Sequence, residues 1–106
     1  MNNLNSNLDG VTPVLEPKKD SAFTIGEKVF IRSVTHYHTG RVVREAGGFL
    51  FLEKAAWIAD TGRFHDALVT GKFSEVEPAA FGLVRVNISG IIDIFEWPHD
   101  LPMTQI

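Results

Sequence analysis

The sequence predicts a mainly β fold: a small, strongly bent barrel of five short strands, with one short helical insertion and an extended N-terminal arm. Three observations carry this expectation. From Glu27 onward, β-branched and aromatic residues gather in runs of strand length. Turn signals at Gly47-Gly48 and Ser89-Gly90 break those runs at short intervals. A chain of 106 residues has room for one core and hides only about two thirds of its unfolded surface.

The arm comprises residues 1–22, and the domain residues 23–106. The arm holds Asn2, Asn3, Asn5, Asn7, Pro13 and Pro17 and shows no apolar period, a composition that cannot repay its own ordering entropy. Beyond Gly26 a first strand is expected over 27–35, a turn over 36–40, and a second strand over 41–45, where polar and apolar residues alternate. Phe49-Leu50-Phe51-Leu52-Glu53 is the strongest strand signal, and 54–59 extends it through a bend. A short helix is expected over 63–70, capped by Asp60 or Thr61, with Phe64, Ala67 and Leu68 on one face and Gly71 ending it. Pro78 and Gly82 bracket a loop. Leu83 to Ile88 alternates with Val84, Val86 and Ile88 on one side, and Ile91 to Trp97 forms the last strand, stopped by Pro98.

Ten Lys and Arg stand against thirteen Asp and Glu, for a formal charge of -3, so composition shows no nucleic-acid footprint. With no cysteine, disulfides, thiolate zinc sites and cysteine nucleophiles are excluded. Neither a signal-peptide pattern nor an apolar run of membrane-spanning length is present, so a soluble protein, not exported and without membrane contact, is expected.

Asp60-Thr61-Gly62 has the form of an aspartic-protease triplet, yet Arg63 follows where those enzymes keep a small residue, and a turn is the stronger reading. His36 and His38 would share a face of a strand, but zinc wants three or four protein ligands and nothing in the sequence directs more to that pair. No phosphate loop or nucleophile elbow occurs, so no catalytic residue, metal or cofactor is expected. Arg32, Arg41, Arg44 and Arg85 fall in strands and could align into a phosphate-binding stripe, although Glu27, Glu45, Glu53, Asp93 and Glu96 share those strands and offer cross-strand pairs. Phe49, Phe51, Trp57, Phe95 and Trp97 exceed what one face of a small barrel hides; the surplus is expected to be covered by the short helix or the arm folded back, or to form a subunit or partner interface.

Several stretches, among them Gly26-Glu27-Lys28-Val29-Phe30-Ile31-Arg32, Thr39-Gly40-Arg41-Val42, Ala56-Trp57-Ile58-Ala59-Asp60-Thr61-Gly62-Arg63-Phe64 and Trp97-Pro98-His99-Asp100-Leu101-Pro102, resemble small uncharacterised proteins of tailed bacteriophages and prophages. The resemblance spans 26–102 and implies a phage source; it brings no activity and no site residue. The strand order and the short turn before Ile91 also resemble the SH3 and Sm barrels, the latter implying a ring of protomers. The expectation that follows is a non-enzymatic virion component, of capsid or tail, made in the host cytoplasm. It would dock on itself or on other phage proteins through its arm and aromatic surface. The alternative is a Sm-like or nucleotide-binding module using the strand arginines.

Overall fold

The computed structural model describes residues 21–106. Along them run β1 (Lys28–Ser33), β2 (Tyr37–Ala46), β3 (Phe49–Asp60), α1 (Phe64–Thr70), β4 (Glu75–Pro78), β5 (Val84–Asn87), a 3-10 turn (Ile88–Gly90) and β6 (Ile91–Glu96). All six strands join one antiparallel sheet in the order β4-β3-β2-β1-β6, and β5 pairs with β3. The sheet is open: among the described residues no ladder joins β5 to β6. The arm, apart from its last two residues, lies outside the described residues.

β3 serves two partners in succession. Its first part, Phe49 to Leu52, pairs with β5, and its second, Ala56 to Asp60, with β4. Between them Lys54 adopts φ 50, the one non-glycine with positive φ among the described residues. Side chains alternate faces along a strand, so one residue outside the ladder exchanges the faces for everything after it. Leu50 and Leu52 accordingly enter one core, with Val29, Ile31, Val42, Ala55 and Val86. Ala56 and Ile58 enter another, with Phe30, Ala67, Phe73, Val76 and Trp97.

β1 separates these cores. Val29, Phe30 and Ile31 are all at most 1% exposed, which requires both faces of the strand to be covered. Phe30 is the hub of the second core: the rings of Tyr37, Phe64, Phe73, Phe95 and Trp97 lie 5.6 to 6.2 Å from its own. α1 closes that core with Phe64, Ala67 and Leu68 and ends at Gly71, whose φ of 76 allows its N–H to bond Ala67 O at 2.8 Å.

Three expectations are corrected. The strands number six, because Glu75–Pro78, for which no element was expected, pairs with β3. Residues 37–40 are strand, with Thr39 and Gly40 buried in the sheet. A Cβ on Gly40 would stand 3.0 Å from Leu52 Cβ and 3.4 Å from Ala55 Cα, so glycine here permits close approach of β2 and β3. Finally, neither Asp60 nor Thr61 caps α1; Arg63 holds that position without a side-chain bond.

Replacing Phe30 by Ala is expected to cost about 3–5 kcal/mol, a large share of the stability of a small domain, read as a fall in the urea midpoint. Gly40→Val is expected to cost about 1–3 kcal/mol through overpacking. A Phe30→Ala midpoint close to wild type would contradict the hub role.

Candidate functional site

The register separates the four strand arginines into two kinds. Arg32 on β1 faces Asp93 on β6 and holds it with two bonds, Nε to Oδ1 at 2.7 Å and Nη2 to Oδ2 at 2.5 Å. This pairing lowers the Asp93 carboxyl below its ordinary range and raises the guanidinium further above its own. The same guanidinium lies over the rings of Phe64 and Phe95 at 5.1 and 5.8 Å. Arg41 donates to Gly26 O at 2.8 Å and has Nε 3.6 Å from Glu53 Oε2, its cross-strand partner. Both are occupied within the domain.

Arg44 and Arg85 are not. Arg44 of β2, Phe51 of β3 and Arg85 of β5 form one cross-strand row, with the guanidiniums over the Phe51 ring at 4.3 and 5.9 Å. Among the described residues neither has a carboxylate partner. Phe49, two residues earlier on the same face, is 39% exposed. The ring orients each guanidinium at little entropic cost while leaving its N–H groups to solvent or to a ligand.

The aromatic residues divide as well. Trp97 is 2% exposed, stacks on Phe73 at 5.1 Å and donates Nε1–H to Asp100 O at 3.2 Å. Phe95 is wedged between Phe30 and Phe64. Trp97 is thus buried in the core under α1, which removes it from the exposed aromatic surface, whereas Phe95 is half-buried beside it. Phe49, Phe51 and Trp57 remain on the surface.

Trp57, 43% exposed, lies beyond the face switch and so on the other side of the sheet from Phe51. Its cross-strand neighbour is Glu77 of β4, and alternation through the buried Val76 puts Glu75 on the same face. Glu75 and Glu77 are exposed and without a cation among the described residues; Glu77 accepts a bond from Gln105 Nε2 at 3.1 Å. These two acids are not legible in the sequence, because Glu75–Pro78 carries no strand signal of its own.

At the edge of this patch, the His36 ring lies 5.6 Å from Trp57 and 6.4 Å from His38. His38 sits in β2 between Ile31 and Trp57, with Nδ1 buried and unpartnered, and burial holds its pKa below the ordinary value with His36 adding to the effect. Among the described residues no three metal-capable side chains gather. Asp60 Oδ1 accepts the Gly62 N–H at 2.8 Å, so the Asp60-Thr61-Gly62 triplet closes a turn. A groove of about 480 Å³, lined by Lys28, Leu68, Phe95, Trp97 and Pro98, opens where α1 meets β1 and β6. Among the described residues no helix is long and apolar enough to cross a membrane.

No family model matches the chain, and no curated protein or solved structure matches it.

His38 binds protons less readily folded than unfolded, so its neutral form's stabilising effect is complete above the unfolded value of 6.5 and is lost as pH falls below it. The urea midpoint is expected to drop between about pH 7 and about pH 5, and His38→Gln is expected to shrink that drop. Asp93 acts in a lower window, since a depressed carboxylate keeps its contribution until pH falls below 3.8. An unchanged pH profile in His38→Gln would refute the burial effect.

Proposed function

We propose that this chain is a non-enzymatic assembly protein of the phage type, a capsid or tail accessory made in the host cytoplasm and carried in the virion. It docks on protein surfaces through the outer face of β2, β3 and β5. The observation that carries this reading is the Arg44–Phe51–Arg85 row beside the exposed Phe49. Aromatic rings flanked by arginine are the composition of interface anchors, and here neither guanidinium has a carboxylate of its own chain among the described residues.

The scaffold suits this role. The run β6-β1-β2-β3-β5, with a 3-10 turn between β5 and β6 and β4 added to the far half of β3, supports reading the sheet as an open variant of an SH3- or Sm-like barrel. Asn87 Oδ1 accepts the Ser89 N–H at 3.0 Å, and Ile88 N–H bonds Gly48 O at 3.0 Å, which anchors β5 and its Arg85 to the β2–β3 turn. The docking face is therefore rigid rather than borne on a loop.

The phosphate-binding alternative retains only Arg44 and Arg85, because Arg32 and Arg41 already meet carboxylates. Two phosphate contacts are a weak footprint on a chain of charge -3.

The test is a photo-crosslinking residue at position 49 in the full chain, produced together with the proteins encoded beside it. A protein adduct is expected there and not from position 69, which is exposed on α1. A nucleic-acid adduct would transfer the face to the alternative, and the absence of any adduct would refute docking through it.

A further inference from the structure

β3 carries two exposed aromatic patches of opposite charge, and the switch at Lys54 sends them to opposite faces of the sheet. The first is Phe49 and Phe51 with Arg44 and Arg85. The second is Trp57 with Glu75 and Glu77. Neither arginine meets a carboxylate, and neither glutamate a cation, among the described residues. We infer that the basic aromatic patch of one copy receives the acidic aromatic patch of a second copy, so that the chain associates with itself head to tail.

The charges select this arrangement over a symmetric pair. Two basic patches face to face would bring four guanidiniums together without a counter-charge, and two acidic patches would do the same with carboxylates. Each patch therefore fits a surface unlike itself, and the other patch has the required sign. Their spacings are comparable: Arg44 and Arg85 stand two strand separations apart, about 10 Å, and Glu75 and Glu77 two residues apart, about 7 Å. Arginine forks reach carboxylates over that difference and can bind them bidentately. Because the patches occupy opposite faces and opposite ends of β3, each copy engages two different neighbours. Such a heterologous contact closes into a ring or continues as a filament, according to its rotation. His36 lies against Trp57 at 5.6 Å and rims the acidic patch.

This inference rests on the docking role of the Phe49–Phe51 face and adds the identity of the occupant. It is tested with the purified full chain by light scattering over a concentration series. Wild type is expected to exceed the 11.8 kDa of one chain and to fall back toward it with added salt. The double variants Arg44→Glu/Arg85→Glu and Glu75→Arg/Glu77→Arg are each expected to stay at one chain's mass, with unchanged thermal melts showing that they are folded. An equal mixture of the two is expected to regain mass, because each supplies the charge the other lacks. Wild type that remains a single chain at every concentration, or two folded variants that fail to rescue each other, would overturn the inference. In that event a protein adduct from position 49 would leave the docking reading intact with a different partner, whereas no adduct would remove both.

Discussion

Lys54 is held in the left-handed region, at φ 50, in the middle of the longest strand, and the surface of this domain depends on that residue. A β-branched or bulky side chain would resist this backbone more strongly than lysine does, and a regular strand would avoid it. Without it, Leu50, Leu52, Ala56 and Ile58 would all point to one side, and the chain could not fill a core on each face of the sheet. With it, Leu50 and Leu52 enter the core shared with Val29 and Ile31, while Ala56 and Ile58 enter the one shared with Phe30. The same inversion turns Phe51 outward on one side and Trp57 outward on the other. The two cores and the placing of Phe51 and Trp57 are thus results of one backbone event, while Arg44 joins Phe51 through a second register shift, between Val42 and Arg44 of β2.

β1 makes the two cores interdependent. Its residues Val29, Phe30 and Ile31 alternate between them, and Phe30 gathers aromatic rings from β2, α1 and β6 and from the segments that follow α1 and β6. α1 is short and gains nothing from a side-chain cap at its start, so its place is held by packing: Ala67 is buried, and the His99 ring sits against Gly71, where a Cβ would come within 2.5 Å of His99 Cγ. The His99 ring nitrogen Nε2 lies 2.7 Å from Leu68 O, and Lys28 Nζ donates to His99 O at 2.7 Å, tying α1 to β1 through the segment after β6. The geometry of the two outer faces of β3 is in this sense a property of the whole domain.

Much of this was legible in the sequence, and the parts that were not have physical reasons. β1, β3, α1 and β6 could be read because β-branched runs, a glycine stop and Pro98 mark them locally. β4 could not, since Glu75 to Pro78 contains one buried apolar residue and draws its stability from pairing with β3. The opening of β2 read as a turn because Gly40 usually signals one; here its missing side chain serves the contact with Leu52 and Ala55. At the candidate site, the arginines and aromatics were visible as residue types, but their roles required the register. Asp93 takes Arg32 out of contention, Glu53 does the same for Arg41, and Phe73 draws Trp97 into the core. The bend expected over 54–59 marks the place of the irregularity at Lys54 but not its exchange of faces, so the acidic patch around Trp57 could not be foreseen.

The most direct test of two opposed, available faces on β3 is a concentration series of amide and side-chain NMR spectra of the full chain. Resonances of Phe49, Phe51 and Arg85, and separately those of Trp57, Glu75 and Glu77, are expected to shift or broaden as concentration rises, while Phe30 and Val29 keep their positions. Changes confined to one face, or to surfaces remote from β3 such as the outer side of α1, would contradict this expectation.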